Sequence, residues 1–346
     1  MSVFVLVVVI ALMTMMTHTV QVVQALSSPL PPPNKHPKNH IMQSARDARI
    51  LAPASAILST LLLPNNHQPA HAAASTNKGS ELFDAARSQY FDGSLTSSVI
   101  ALRISGTLRK RGYLPYNTLL ASSLSGDEVN VGANGLVPLL QSKLISTDVG
   151  VLNLAAAGDY CGVPLPDSIA TALSHAPVDG KVVLVYAPNV GIDQAGTVGT
   201  VERVGQDVAS DCASVSNILS GTASSSGLTK LVTGKMKPIT TNGNNNNDKV
   251  AAATMALYEV MNETVHSQVQ SALATATSSS SNNLISEVTL IGGIIVNRGH
   301  GSGIPKGEDY FQPLTMKAFS SKGGASTTTQ LYNDVFGDLR TPRQYL

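Results

Sequence analysis

The chain has 346 residues, a formal net charge of +1, and only 4% aromatic residues with no tryptophan. Five of its 23 lysines and arginines, but one of its 22 acidic residues, lie in the first 80 positions, so the remainder is slightly acidic. That balance, without basic clusters interleaved with aromatic residues, gives no support for nucleic-acid binding. About 265 residues behind a removable leader can bury the core of one domain.

The start of the chain has the composition of targeting segments. Residues 3–13 form an apolar run too short to span a bilayer, so we predict a secretory signal peptide over residues 1–26. Residues 27–74 join a basic transit-type stretch to a second apolar run at 50–63, which ends in Ala70-His71-Ala72. This order resembles the addresses of thylakoid-lumen proteins in algae with secondary plastids. Delivery to the stroma is the alternative for the whole leader, and a membrane anchor is the alternative for the first run.

Helical and strand patterns alternate through the rest of the chain. Helices are predicted at 81–92, 95–111, 133–144, 166–175, 208–219 and 248–274, the last with Asp248 as its N-cap. Strands are predicted at 149–155, 181–187, 287–297 and 311–319, with a short apolar segment at 117–124 and a solvated Asn-rich loop at 242–247. The alternation predicts an α/β fold with helices packed on the faces of one sheet. The domain is expected over 75–330, followed by a tail at 331–346.

Residues 182–193, VVLVYAPNVGID, form the most informative segment, because a buried strand that ends in a polar residue often presents a site. The segment resembles the limiting-CO2-inducible B/C family and its theta-class carbonic anhydrase relatives. Those proteins have a histidine at the position of Asn189. Three further matches occur in order along the chain: LLASSLSGDEVN, then Gly196-Thr197-Val198-Gly199, then an ending from Leu290-Ile291-Gly292-Gly293-Ile294 to Asp309-Tyr310-Phe311-Gln312-Pro313-Leu314. The resemblance implies a single domain with a β-carbonic-anhydrase-like sheet and flanking helices.

The resemblance also implies a zinc site, in which two cysteines and a histidine hold the metal and its bound water ionises to attack CO2. The corresponding positions here are Ser125, Asn189 and Ala213, with Cys212 one position before the last. Asp127 alone matches the family's catalytic acid. A hydroxyl and a carboxamide are poor donors to zinc, so we predict a degenerate site and no bound cofactor.

A zinc site rebuilt from other residues is the alternative. Its candidate ligands are Cys161, His175, Cys212, Asp127 and His300. The two cysteines could instead form a disulfide, and their spacing does not decide between these roles. His175 lies in a segment that the family shares, where the histidine is not one of the three ligands.

Three functions follow from this interpretation. The first is a non-catalytic family member in plastid inorganic-carbon handling, which binds an active paralogue or retains a bicarbonate pocket. The second is a working carbonic anhydrase with a rebuilt zinc site, and the third is a structural or interaction protein with a filled pocket. The resemblance implies a homodimer or a heteromer with a family paralogue, with the site near a subunit interface. We expect neither a nucleic-acid partner nor a transmembrane segment in the mature protein.

Overall fold

The computed structural model describes residues 71–125, 133–145, 150–155, 162–202, 209–210, 213–221, 226–239, 245–278, 285–299, 307–320 and 327–339. The predicted signal peptide and all but the last four residues of the predicted transit segment lie outside these ranges. Among the helices within them, none combines the length and the hydropathy needed to cross a bilayer.

Helices and strands alternate along the described chain. The helices are α1 (His71–Tyr90), α2 (Ser97–Lys110), α3 (Leu136–Leu144), α4 (Ser168–Ser174), α5 (Ala213–Ser220), α6 (Ser226–Lys235), α7 (Asn246–Ser278) and α8 (Tyr332–Phe336). The strands are β1 (Leu95–Thr96), β2 (Thr118–Leu124), β3 (Leu152–Asn153), β4 (Lys181–Ala187), β5 (Asn189–Ile192), β6 (Thr200–Val201), β7 (Ala209–Ser210), β8 (Glu287–Arg298), β9 (Tyr310–Ser320) and β10 (Thr327–Gln330).

Eight of these strands form one mixed sheet. Its neighbours run in the order β3, β2, β4, β8, β9, and both β1 and β10 pair with the outer side of β9. The inner strands β2, β4 and β8 are parallel, whereas β9 is antiparallel to β8. β5 continues β4 in the same register on β8, because Tyr186 pairs with Gly292 and Asn189 pairs with Ile295. Pro188 thus interrupts what is otherwise one strand.

Helices cover both faces of the sheet, which confirms the predicted α/β fold. Along β4, Val182, Leu184 and Tyr186 point into a core shared with α1, α4, α5, α6 and α7. The alternate residues Val183 and Val185 point into a second core shared with α2, α3 and α8. Successive side chains of a strand point to opposite faces, so a strand covered on both sides needs the continuous apolar run seen in its sequence.

Several boundaries differ from the predictions. The apolar segment at 117–124 is the fully buried strand β2, whereas the strand predicted at 149–155 shortens to the two residues of β3. The helix predicted from residue 208 begins only at Ala213, because residues 209–210 pair with β6 as strand β7. At these two positions the antiparallel pairing with β6 outweighs the local preference for a helix.

The prediction that Asp248 is the N-cap of α7 is wrong by three residues. Asn245 Oδ1 accepts a hydrogen bond from the backbone N–H of Asp248 at 2.9 Å, which is the bond an N-cap side chain makes. The carboxylate of Asp248 is buried and accepts a hydrogen bond from the Tyr90 hydroxyl at 2.8 Å. The end of the Asn-rich segment, predicted as a solvated loop, is therefore the cap and first turn of α7.

Part of the segment that we assigned to a tail belongs to the core. Leu331, Val335 and Phe336 are buried among the side chains of the α2, α3 and α8 face. The backbone N–H of Leu331 donates to the Met316 carbonyl at 2.9 Å, which continues the β9–β10 pairing. A helix of five residues is too short to show an amphipathic period in the sequence.

The Gly292-Gly293 pair allows aromatic rings to lie directly against β8. A Cβ on Gly292 would overlap the Tyr186 ring, and one on Gly293 would overlap the Phe311 ring. The Tyr186 ring stacks on that of Tyr258 with centroids 6.3 Å apart, and burial raises the pKa of both hydroxyls. The Tyr186 hydroxyl donates to Asn262 Oδ1 of α7 at 2.6 Å, which ties the helix to the sheet.

We predict that Gly292→Ala lowers the free energy of unfolding by about 1–3 kcal/mol, because the added methyl overpacks against Tyr186. Urea unfolding followed by circular dichroism measures the change. The control is Gly234→Ala in α6, where an added Cβ meets no atom within 4 Å, and it should leave stability unchanged or raise it by up to about 1 kcal/mol. Equal effects of the two substitutions would contradict this packing role.

His266 on α7 packs against the covered face of the sheet, and this packing changes its pKa. Its ring meets the edge of Phe319 with centroids 5.8 Å apart, and its Nε2 has no hydrogen-bond partner among the described residues. Burial, followed by the charge of Lys317, lowers the pKa of this histidine to about 4. As the pH falls below 6.5, the ordinary pKa of histidine, His266 therefore becomes protonated in the unfolded chain but stays neutral in the folded protein.

We predict that stability falls as the pH drops from about 6.5 to about 4, and that His266→Phe flattens this slope. The substitution keeps an aromatic ring against Phe319 and removes the titrating group. Unfolding in urea at a series of pH values tests it. Lys317→Met should reduce the slope in part, since it removes the second cause of the shift. An unchanged slope in His266→Phe would contradict the assignment.

Candidate functional site

The carboxyl ends of the parallel strands meet at one edge of the sheet, and the predicted site residues Ser125 and Asn189 lie there. Leu124, the last residue of β2, pairs with Ala187, the last residue of β4, so Ser125 follows one strand and Asn189 lies just beyond the other. From strand spacing and rise, this register places their Cα atoms about 6 Å apart. The structure therefore brings together these two positions.

Asn189 is fully buried and forms a side-chain pair. It has 0% exposure, and its Nδ2 donates to Asn297 Oδ1 of β8 at 3.3 Å. Asn297 is also fully buried and lies two residues beyond Ile295, the strand partner of Asn189. Both side chains therefore project on the face covered by α2, α3 and α8. The carboxamide pair joins β5 to β8 at the position where the family resemblance expects a metal ligand.

The loop after β5 is organised by Asp193, the last residue of the APNVGID motif. Its carboxylate accepts hydrogen bonds from the backbone N–H of Ala195 at 2.9 Å and of Thr197 at 2.8 Å, and from Thr200 Oγ1 at 2.8 Å. With these bonds made, the carboxylate holds the loop, and the buried position of Asp193 suits that structural role.

Asn247 of α7 clamps the same loop from the other side. Its Oδ1 accepts from the backbone N–H of Val198 at 3.0 Å, and its Nδ2 donates to the Gly196 carbonyl at 3.1 Å. Gly196 and Gly199 adopt positive φ angles of 77° and 94°, which explains the glycines of the GTVG motif. The motif is thus a rigid turn against α7.

Gly162 lies against the end of β2. It has a φ of 85°, and a Cβ there would lie 2.7 Å from the backbone of Leu124 and Ser125. The hydroxyl of Ser123 donates to the Gly162 carbonyl at 2.6 Å. The segment that follows Cys161 in the chain therefore approaches the candidate site closely, although Cys161 lies outside the described residues.

His175 is placed at the opposite edge of the sheet. It is exposed, caps the C-terminus of α4, and precedes the first residue of β4, Lys181. The eight residue steps from Lys181 to Asn189 span about 26 Å of strand. The structure does not bring His175 to Asn189, so it does not serve as a replacement ligand at this site.

The remaining predicted residues are only partly placed. Ala213 begins α5, whereas Asp127, Cys161, Cys212 and His300 lie outside the described residues. Within the described ranges, no group of three or more His, Cys, Asp or Glu side chains is arranged to hold a metal ion. Both cysteines lie outside the described residues, so the fit to a metal is judged from the chemistry of the side chains at the three ligand positions.

The donor set does not fit zinc. A hydroxyl, a carboxamide and a methyl group stand where the resemblance requires two thiolates and an imidazole. Asn189 donates through Nδ2 to Asn297, and its neutral carboxamide oxygen is a weak zinc donor compared with an imidazole or a thiolate. Arg298, at the same sheet edge, lies over the Phe83 ring at 5.3 Å on the opposite face from Asn189.

Sequence reasoning missed three residues that shape this edge: Asn297, Asp193 and Asn247. Asn297 and Asp193 belonged to motifs of the resemblance without a role assigned to them. Asn247 stands in an Asn-rich segment in which no residue is distinguished by its neighbours.

Comparison with solved structures gives the class of fold. PtLCIB4, a homolog of the limiting CO2-inducible protein LCIB, is similar with a TM-score of 0.53 and 20% identity, covering 71% of this chain and 98% of that chain. A mutant of PtLCIB4 is similar with the same TM-score and identity, covering 71% of this chain and 97% of that chain. At this identity the likeness concerns the fold alone. No curated protein sequence matches the chain significantly.

The family follows from the sequence itself. The profile of the limiting CO2-inducible proteins B/C beta carbonic anhydrases matches residues 94–320, more than half of the chain. The chain belongs to this family and has a carbonic-anhydrase-like domain. Its match begins just before β1 and ends with the last residue of β9.

We predict that Asn297→Leu lowers the free energy of unfolding by about 1–3 kcal/mol, because it leaves the buried amide of Asn189 without this acceptor. Asn189→Leu should cost a similar amount. The double variant should cost less than the sum by about 0.5–3 kcal/mol, because neither partner then remains to be desolvated. Urea unfolding of the four proteins measures this coupling, and additive effects would contradict the pairing.

Proposed function

We propose that this protein is a carbonic-anhydrase-like member of the limiting CO2-inducible B/C family that does not hydrate CO2 at the family's zinc position. One observation carries the proposal: the buried hydrogen bond between Asn189 and Asn297 occupies that position. A neutral carboxamide held this way offers no lone pair with the strength of an imidazole. The sheet edge is preserved while its metal chemistry is lost.

Loss of the donors removes the source of the nucleophile. Zinc bound to protein supplies hydroxide near neutral pH, and water without a metal has a pKa far above that range. Ser125 does not ionise as a thiol does, and Asn189 does not ionise at all. In this proposal neither Ser125 nor Asn189 helps to generate hydroxide, and the role of the protein is non-catalytic.

We place the protein in plastid inorganic-carbon handling, in the thylakoid lumen or alternatively in the stroma. The support is the composition of residues 1–74, which combines a signal-type apolar run, a basic stretch and a second apolar run. In that setting, the proposed role is to bind an active paralogue or to retain bicarbonate. A structural or interaction protein with a filled pocket is a separate alternative, which would bind no bicarbonate.

The alternative is an active carbonic anhydrase with a rebuilt zinc site. It is favoured by the close approach of Gly162 to Ser125, because Gly162 directly follows Cys161 in the chain. A thiolate is a strong zinc donor. Such a site needs three protein ligands, so the alternative must recruit two more besides Cys161 from among Cys212, Asp127 and His300.

We predict that the protein, supplied with zinc, hydrates CO2 at no more than the solvent background. A zinc-hydroxide carbonic anhydrase reaches a kcat of about 10⁶ s⁻¹, so stopped-flow measurement detects even a thousandfold weaker enzyme. Residues 71–346, which contain every described element, are the sample. Hydration above background that a chelator abolishes, and that Cys161→Ser removes, would establish the rebuilt site instead.

The matched control restores the family ligands with Ser125→Cys, Asn189→His and Ala213→Cys in one chain. Because the sheet edge is in place, this variant should bind zinc with near-stoichiometric occupancy. The single Asn189→His variant controls for the loss of the Asn297 pair and should bind little. If the triple variant folds but binds no zinc, the pocket has changed beyond its ligands, and the claim that the edge is preserved is wrong.

A further inference from the structure

Two neighbouring turns, at residues 114–117 and 177–180, lie at the amino ends of the parallel strands, away from the candidate zinc position. In the first turn the backbone N–H of Asn117 donates to the Leu114 carbonyl at 3.1 Å. In the second the backbone N–H of Gly180 donates to the Pro177 carbonyl at 2.8 Å. The backbone N–H of Lys181 donates to the Asn117 carbonyl at 2.7 Å. The two turns therefore form one surface, which we call the amino edge.

The middle positions of these turns carry exposed apolar side chains. Tyr116 is 78% exposed and Val178 is 64% exposed, and Leu114 beside them is 36% exposed. Middle positions of turns usually hold Gly, Pro, Asn, Asp or Ser, because the backbone preferences of these residues favour a turn. Tyrosine and valine have no such preference, and at this exposure neither packs in a core. Contact with an apolar phase outside the protein would bury both side chains.

The turns hold these side chains in fixed positions. Asn117 Oδ1 accepts from the backbone N–H of Leu114 at 2.9 Å, and Asn117 Nδ2 donates to the Gly112 carbonyl at 3.1 Å. An added Cβ on Gly180 would lie 2.5 Å from the Pro177 carbonyl oxygen and 3.1 Å from that of Asn117, so the second turn packs closely on the first. A surface that is already ordered loses little conformational entropy when it binds.

Basic side chains surround the amino edge. Arg109 and Lys110 are exposed in the last turn of α2, and Arg109 donates to the Lys143 carbonyl at the end of α3. Among the described residues, the charged side chains at and around this edge are Arg109, Lys110, Arg111, Lys143 and Lys181, against Asp179 and Glu287. Glu287 is paired with two of these cations. The edge therefore has a surplus of positive charge, although the chain beyond residue 80 is slightly acidic.

The carboxyl ends of the strands carry the opposite charge. The described charged side chains there include Asp193, Glu202, Asp248, Glu308 and Asp309, with Lys249 and Arg298. An anionic surface would attract the amino edge and repel the other end of the strands, and this charge complementarity sets the orientation of the protein.

We propose that the amino edge docks on an anionic lipid surface. Tyr116 and Val178 insert at the level of the headgroups, and Arg109 and Lys110 face the negative charge. A tyrosine ring suits this position because its body is apolar while its hydroxyl stays in contact with water. The aliphatic stems of lysine and arginine cover apolar surface while their charged ends remain at the headgroups.

The arrangement favours lipid over a protein partner. Stable protein interfaces bury about 800 Å² on each partner and need complementary shapes. The apolar side chains of the amino edge stand at two separate turn tips, which a fluid lipid surface accommodates without a matching shape. The docking does not rest on the proposed function, because the amino edge contains none of the family's ligand positions.

Flotation with lipid vesicles tests the proposal on residues 71–346, which omit the apolar runs at 3–13 and 50–63 that would bind lipid themselves. These residues belong to one compact unit of the chain. The protein should float with phosphatidylcholine vesicles that contain about 30% phosphatidylglycerol, and salt raised from about 0.05 to about 0.5 M should release it. Tyr116→Ser with Val178→Ser should lower the partition coefficient about tenfold. Lys110→Gln should lower it about fivefold.

Leu102→Ser and Lys249→Gln are the matched controls and should leave the partition coefficient unchanged. Leu102 is 64% exposed, as Val178 is, but lies midway along α2, and Lys249 is exposed at the start of α7, near the carboxyl ends of the strands. A wild-type chain that does not float, including one that binds only a protein partner, overturns the proposal. Equal binding to phosphatidylcholine alone also overturns it, as does an unchanged partition coefficient in the variant of Tyr116 and Val178. If that variant fails to fold, hydrogen exchange of the wild-type amides within 114–117 and 177–180 decides, and equal exchange with and without anionic vesicles overturns the proposal.

Discussion

Burial of both faces of β2, β4 and β8 is the constraint on which the rest of the molecule depends. A strand covered on both sides places consecutive residues in two different cores, so every position must be apolar or must find a partner. The chain meets this demand with Val, Leu and Ile and with few aromatic residues. Where a larger ring is buried, as at Tyr186, the residue opposite it on the neighbouring strand is a glycine, which leaves room for the ring.

The same constraint determines what a site at the carboxyl edge can contain. Polar residues there are already inside the protein, so each is either hydrogen-bonded or bound to a ligand. Asn189, the first residue of β5, is held by Asn297 of β8, and Asp193, just after β5, is held by the backbone of its own loop. A polar motif residue that is held by such hydrogen bonds becomes part of the framework of the fold.

The sequence predicts the parts of the fold that repeat a pattern over many residues. β4 and β8 are apolar runs bounded by turn residues, and α7 has a helical period over more than six turns, so their existence was predictable. β3, β7 and α8 have two, two and five residues, too few for any period to show. The cap at Asn245 was equally hidden, because its neighbours in the Asn-rich segment are chemically equivalent caps.

The candidate site divides in the same manner. The resemblance located its residues on the chain, and strand pairing brought Ser125 near Asn189 as a parallel sheet requires. The partner of Asn189 is Asn297, 108 residues further along, and that pairing depends on the register of β5 on β8. The pairing register of two strands that are distant in sequence depends on the packing of the whole sheet, so it could not be predicted from local sequence features.

We propose that the family's zinc position holds a carboxamide pair instead of a metal. The most direct test of this proposal is the zinc content of residues 71–346 by inductively coupled plasma mass spectrometry, after purification without chelators or a histidine tag. We expect a folded protein with less than about 0.1 zinc per chain, because the three ligand positions lack both thiolates and the imidazole. Close to one zinc per chain would contradict it and would require ligands from elsewhere in the sequence.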